Sequence, residues 1–571
     1  MRQKITLSWL LLMIGFAARG QSNNPLSIYE GERIASVHFD FIGLPADELV
    51  ALDLKTKAEG LFRLYPQSPY NSMFASYYIA QIELLPWVEK ASLEVTTSGE
   101  NGVDIQVIVH VATVSSLLPK RGNIFTRPAL FPTLYTSPRT FVVLKLAASE
   151  MVYSNHNAWF GQPEAVTMGN PLATHPSGKG YSAWIEGFVS GGVYGITKII
   201  PAINLHLYGG VNYLISFSAG DELFTNRARI FGDIEEAYIG LIGGGRTAAG
   251  HLYRYNFLYG RKQFVLGDGW LIINTSMNGD NRAALQLNPR WASKHVFQTG
   301  FQWDRLFVQL FRLEANELPV LNSGTVINGA NLELGSRDRM LIGMSFLQVL
   351  RSRFKYYLPD GRVEYRKGLQ VYNFRLFRHA PVGGGLLFKT EVGYQRNPHF
   401  SMNAWAAYAE IGWNFGKSYG TPTISYRFAY FSGDDADTHS YNRWDALYTG
   451  GNGEQWVQGS NMYKMVQNSN EMSHRLQMIF NPLRKVQLVG QVWFFCAPSL
   501  TNLGGNPALS QLKSHNYGTE FNLTIKYFAS QHWYFHLNTA YTLPGAAIRD
   551  NLPIGGTRNW FCLSAFVRYS F

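Results

Sequence analysis

The chain has 571 residues, with aromatics at 15%, 55 glycines and charged residues at only 16%, against the roughly 25% of ordinary soluble domains. No internal run reaches the roughly 18 apolar residues of a membrane helix, so a chain of this composition could span a bilayer only as a closed β-barrel. The net charge of +11 is unevenly spread: residues 21–112 hold five Lys or Arg against twelve Asp or Glu, and everything after Ala112 holds 42 basic against 27 acidic residues. A basic body often means nucleic acid, but a Gly- and aromatic-rich body behind an export signal points instead to anionic solutes or anionic lipid headgroups.

The first twenty residues read as that signal. Arg2 and Lys4 precede an apolar run from Leu7 to Ala18, and small residues lead to cleavage near Gly20. Two cysteines, Cys496 and Cys562, each fall inside an apparent strand and form neither a disulfide framework nor a metal site.

Residues 21–112 read as a small α+β domain. Ile34, Val37, Phe39 and Phe41 mark a strand ending at Gly43. Asp47–Leu61 is a helix with Asp47 as a possible cap, and Asn71–Leu85 is a second helix with Phe74, Tyr78, Ile82 and Leu85 at helical spacing before Pro86. Val88 to Val95 and Val103 to Val111 alternate as a hairpin across Gly99–Gly102. The order β-α-α-β-β, with "PWVEKASLEV" and "VDIQVIVHV" as its paired strands, resembles the polypeptide-transport-associated (POTRA) domain. That resemblance implies a periplasmic location and a strand edge or groove open to a protein partner. The alternative is a generic α+β plug or spacer.

Residues 113–140, with Pro119, Pro128, Pro132 and Pro138, read as a linker or plug segment. From 141 to 571 the chain is a series of strands of about ten residues separated by Gly-, Asn- and Asp-rich turns. Ile203 to Phe217, Ile424 to Tyr430, Tyr517 to Tyr527 and Trp533 to Tyr541 all alternate apolar with polar positions. At roughly 25 residues per strand and turn, about 16 to 18 strands fit, enough for a water-filled lumen. The expected fold class is thus an all-β transmembrane barrel of antiparallel strands behind a small POTRA-like domain.

The last strand, Trp560–Phe571, places Phe561, Leu563, Ala565, Val567, Tyr569 and Phe571 on one face. Its terminal aromatic resembles the closing strand of bacterial outer-membrane barrels, which implies an outer-membrane location. This strand is expected to pair with the first strand of the body near Phe141–Ala147.

Alternation also sorts the charges. Arg254, Lys262, Arg375, Arg427, Lys526 and Arg568 fall between lipid-facing aromatics and are expected in the lumen. Arg261 is ambiguous because Gly260 could be a bulge that changes the phase. Lys389 and Glu391 share one side, which suggests paired lumen charges. The basic run Arg351, Arg353, Lys355, Arg362, Arg366 and Lys367, broken by Asp360 and Glu364, reads as a solvated loop, as a rim facing lipopolysaccharide, or as part of the lumen. Asp434, Asp435, Asp437 and His439 lack the spacing of a calcium loop and read as a polar external loop. No nucleophile–base pair stands out, so no catalysis, cofactor or metal is expected.

"EEAYIGLIGGG" (Glu235–Gly245) followed by "YRYNFLYGRKQFVLGDGWLI" (Tyr253–Ile272), and later "YRFAYFSGDDADTHSYNRWDALYTGG" (Tyr426–Gly451), resemble the alginate-export family of outer-membrane porins and their diffusion-channel relatives. The resemblance implies export or diffusion of an anionic solute, foremost a polysaccharide, through a cation-lined pore. It departs from that family in carrying a POTRA-like domain. The competing expectation from that domain is outer-membrane protein assembly or secretion, although the Val-Arg-Gly-aromatic lid signature of such barrels is missing from the body.

Overall fold

The computed structural model describes residues 34–111 and 133–570 apart from short breaks, together with Tyr29 and Glu32. The signal segment, the Asp47 cap, Pro86, most of the linker and Phe571 lie outside the described residues.

The N-terminal domain runs β1 (Ile34–Ile42), α1 (Glu48–Leu61), α2 (Ser72–Glu83), β2 (Val88–Thr97) and β3 (Val103–Val111). β3 is central, parallel to β1 and antiparallel to β2. Val103, Ile105, Val107, Val109 and Val111 all point to the buried face, the period-two placement that their alternation dictates. Asn71 caps α2 by accepting the Phe74 N–H at 3.0 Å. The buried surface of α2 is wider than the Phe74/Tyr78/Ile82 stripe, for Ser72, Ser76 and Tyr77 are buried too. The cause is a second neighbour: one face of α2 packs on its own sheet, the other on the barrel wall.

The barrel begins with β5 (Thr140–His156), β6 (Tyr181–Ile200), β7 (Leu205–Gly220), β8 (Arg229–Arg246) and β9 (Leu252–Arg261), preceded by a short β4 (Thr133–Thr136). It continues with β10 (His295–Trp303), β11 (Leu306–Glu314), β12 (Val326–Ser336) and β13 (Met340–Arg351). A small hairpin, β14 (Lys355–Tyr357) and β15 (Val363–Tyr365), stands outside the wall. The wall resumes with β16 (Gln370–Arg378), β17 (Gly385–Arg396), β18 (Ala404–Asn414), β19 (Thr423–Phe431) and β20 (Glu471–Leu483). It ends with β21 (Val486–Cys496), β22 (Asn516–Phe528), β23 (Trp533–Pro544) and β24 (Trp560–Ser570). β5–β13 and β16–β24 form a closed, antiparallel 18-stranded barrel.

Closure differs in register from the sequence expectation. β24 pairs with Ala147–His156 rather than with Phe141–Ala147, and β4 takes the remaining end of β5 opposite Phe141, Val142 and Val143. β5 is 17 residues long and β24 only 11, so the longer strand would keep an unpaired edge without β4. A second correction falls on Tyr517. A register shift between Phe495 and Cys496, with Gly518 at φ 139°, forms a bulge that turns Tyr517 inward, where it is fully buried.

The wall's outer face carries Val189, Ile215, Phe257, Phe521, Phe535 and Phe561, all exposed. An apolar band continuous around the barrel is untenable in water, at roughly 25 cal/mol per Å² of exposed apolar surface, and identifies the surface that lipid covers. No helix among the described residues is long and apolar enough to cross a membrane. Short turns such as Asp304–Arg305 close one end of the barrel, while residues 262–294 and 432–470 are long connections at the other.

Candidate functional site: a lumen narrowed by anchored loops

The lumen is not the open channel that strand number alone suggests. Two long connections, 262–294 and 432–470, fold into it, and wall carboxylates hold them by their backbone N–H groups. Glu186 on β6 accepts from Gln286 N (2.9 Å), Leu287 N (2.8 Å) and Trp184 Nε1 (2.6 Å). Glu235 on β8 accepts from Trp291 N (2.7 Å) and Ala292 N (2.8 Å). Glu520 on β22 accepts from Ser460 N, Asn461 N (3.1 Å), Met462 N (2.9 Å) and Thr542 Oγ1 (2.9 Å). The last arrangement sits at the start of the short helix Met462–Val466, where orphan N–H groups favour an anion. Each of these carboxylates takes at least two backbone N–H donors from its loop, so the loops are tied to the wall at these points.

Aromatic packing fills the space between them. Trp270 from the first loop stacks on Trp444 from the second (5.6 Å between centroids), and Tyr408 of the wall meets Trp456 at 4.1 Å. The contact requires Gly393 on β17: a Cβ there would lie 2.6 Å from Trp444 and 3.1 Å from Trp270.

The charged side chains of the wall form cross-strand ladders. Lys389, Glu410, Arg427 and Arg475 are successive neighbours on β17 to β20, followed by Trp493 and Glu520 on β21 and β22. Glu410 pairs with Arg475 and accepts from Ser425 Oγ at 2.8 Å. Arg427 donates to Gln458 Oε1 (3.1 Å) and lies over the rings of Trp456 (4.6 Å) and Trp493 (5.3 Å). One ladder over, Arg375 stands between Gly343 and Glu391. Because Gly343 has no side chain, the Arg375 guanidinium crosses it to reach Glu333 at 2.9 Å, and it also donates to Asn331, to Ser345 Oγ (2.8 Å) and to Asn373 Oδ1 (3.0 Å). Asn373 in turn donates to Glu391 at 3.0 Å.

The remaining sequence candidates lie apart from this group. Lys262 reaches Glu236 (3.3 Å) and lies over Tyr238. Arg261, the ambiguous one, binds Asp233 (3.1 Å) and the Glu235 carbonyl (3.2 Å), beside Gly260 at φ 140°. Lys526 stands between Gln487 and His536. Arg568 lies over the rings of Phe566 (5.7 Å) and Phe188 (5.9 Å), with no carboxylate within 4 Å among the described residues. Asp434 accepts from Asn442 N (2.8 Å) and Asp435 N (3.1 Å), so its carboxylate braces its own loop.

Arg254 marks the turn end of the lumen, which the N-terminal domain occupies. Its guanidinium lies 4.0 Å over the ring of Tyr65. Arg63 donates to the Gly244 carbonyl (3.3 Å), Lys145 on β5 to Ser72 Oγ (2.9 Å), and Tyr77 OH meets His206 Nε2 at 3.4 Å. Phe74 packs edge-on against Tyr208, and Tyr29 stacks on Phe528. The acidic domain therefore sits in a mouth whose wall offers Lys145 and Arg254.

Sequence reasoning picked out inward cations and missed another, Arg475, together with the acids Glu333 and Glu410 and the loop-holding Glu186, Glu235 and Glu520. Alternation shows which face a residue takes, but not which residue of the next strand lies beside it.

No curated protein matches the chain. Among solved structures, Pseudomonas aeruginosa OpdK with vanillate aligns at TM-score 0.43 and 11% identity, covering 75% of this chain and 98% of that one. P. aeruginosa OccK5 (OpdH) gives 0.42 and 9% over 75% and 98%, and OccK7 (OpdD) gives 0.43 and 11% over 75% and 99%. The family model described as Alginate export matches residues 360–561, a stretch that begins in the β14–β15 hairpin and ends at the second residue of β24.

Proposed function

We propose that the protein is a bacterial outer-membrane channel that passes an anionic solute, foremost a polysaccharide, without catalysis. The observation that carries this reading is the family match over residues 360–561, which hold Arg375, Lys389, Arg427 and Lys526 on the inner face of the wall. Arg375 and Arg427 sit in compensated networks, so their work is to hold the wall and the inward loops in place. Arg568, beside rings and with no acid within 4 Å among the described residues, is a wall cation that would meet a passing anion. In this orientation the short-turn end faces the periplasm and the long connections face outside. The β-α-α-β-β domain in the mouth is then a periplasmic POTRA-like plug, a reading supported by its strand order β1-β3-β2.

Planar-bilayer recording with a salt gradient tests the channel. The wild type is expected to favour anions, and Arg568→Gln to lower the anion-to-cation permeability ratio by roughly twofold. A wild-type channel that prefers cations would sink the proposal.

A further inference from the structure

The β14–β15 hairpin is nailed down on one face and bare on the other. On the packed face, Arg366 makes a two-pronged pair with Asp445 (2.7 and 2.8 Å), joined by the Tyr356 hydroxyl, and Tyr356 stacks on Tyr441 at 4.8 Å. Asp445 and Tyr441 belong to the inward connection 432–470, so the hairpin leans over the lumen. Its far edge reaches the β21–β22 connection, where Tyr357 lies 3.9 Å from the position a Cβ would take on Gly504. The hairpin thus spans the loop end instead of lying against the lipid-facing wall.

On the bare face, strand pairing sets Lys355 beside Tyr365 and Tyr357 beside Val363. Tyr357 is 47% exposed and Tyr365 48%. Arg362 is matched by Asp360 (2.8 Å) and Glu364, whereas Lys355 and Lys367 have no acid within 4 Å among the described residues. Tyr365 lies between the unmatched Lys355 and Lys367 and Tyr357 next to Lys355 toward the turn, an arrangement of exposed rings and ammonium groups suited to a repeating ligand with flat C–H faces and negative charges.

We propose that this face is a docking platform for an anionic polysaccharide chain at the outer mouth of the channel. The inference rests on the channel reading and extends it to the place where the polymer is held. Its position over the lumen favours a soluble polymer over a lipid headgroup. The rings supply stacking and the lysines supply charge, so both are required.

The test uses the full chain in nanodiscs, with polygalacturonate as probe and neutral dextran as control. Wild type should bind polygalacturonate, more weakly as salt rises, and should not bind dextran. Tyr357→Ala with Tyr365→Ala, and separately Lys355→Gln with Lys367→Gln, should each weaken binding by about fivefold or more, while Tyr→Phe at both sites stays within about twofold. Single-channel conductance should stay at the wild-type level in every variant, which shows an intact barrel. Wild type that ignores polygalacturonate, variants that bind like wild type, or capture only of lipopolysaccharide vesicles would each overturn the platform. The channel reading fails separately, on ion selectivity.

Discussion

Asp445 shows how much one side chain can hold together at the loop end. Burial alone would raise its pKa, but the Arg366 guanidinium, the Tyr356 hydroxyl and the Leu447 N–H hold it below the ordinary 3.8. A carboxyl with a depressed folded pKa contributes stability that is complete above its unfolded value and is lost as pH falls through the folded one. The hairpin is therefore expected to detach only below the ordinary carboxyl value of 3.8, as pH falls through the depressed one, read as new proteolytic cuts between Arg351 and Gln370. Asp445→Ala should cost about 3–5 kcal/mol at neutral pH, since it leaves Arg366 buried without its counter-charge. Chemical denaturation of the hairpin region by hydrogen exchange measures it. Arg366→Met with Asp445→Leu should recover much of that loss, because the apolar pair leaves no buried charge behind.

At the scale of elements, the fold and the lumen were legible to different depths. Period-two alternation over Ile424–Tyr430 or Trp533–Tyr541 assigns face directly, so the outward aromatics and the inward Arg427 could be read from the chain alone. Register could not, since it is set by neighbours far apart in sequence. For that reason the Glu333–Arg375 contact across Gly343 left no local signal, and the bulge at Gly518 reversed Tyr517 without changing the residue pattern. The inward loops were hidden for a related cause. Their lengths suggest only exposed polar segments, and what draws them in is a set of wall glutamates that alternation marks merely as inward. Trp270, Trp444 and Trp456 were the available clue, because tryptophans in long connections, the first of them beside the apolar run Leu271–Ile273, need somewhere to be buried. A measurement follows from the anchors: Glu520→Ala strips the N-terminus of the Met462–Val466 helix of its acceptor. The variant should remain a folded barrel by its resistance to unfolding in detergent, yet show larger and noisier single-channel conductance. Unchanged conductance would mean that the tryptophan packing holds the loop without the carboxylate.

For the whole molecule, the decisive relation is between the N-terminal domain and the wall. The interface is mixed: aromatic contacts at Phe74–Tyr208 and Tyr77–Phe141, hydrogen bonds from Lys145 to Ser72, from Arg63 to the Gly244 carbonyl and between Tyr77 and His206, and Arg254 over Tyr65. The single Arg254–Tyr65 contact is worth about 0.5–2 kcal/mol, a scale at which thermal or partner-driven release is accessible when several such contacts are traded for others. A polymer cannot pass a mouth that a folded domain fills, so transport through this barrel requires the domain to leave or to tilt. Placing cysteines at Ser72 and Lys145, in a background with Cys496 and Cys562 replaced by serine, lets a short bis-maleimide tie domain to wall. Flux of an anionic oligosaccharide into liposomes should fall to background after cross-linking and be intact in the uncross-linked double-cysteine protein. Equal flux before and after would mean that solute travels past a domain that never moves, and would shift the path to the side of the lumen lined by β22–β24, where Lys526 and Arg568 stand.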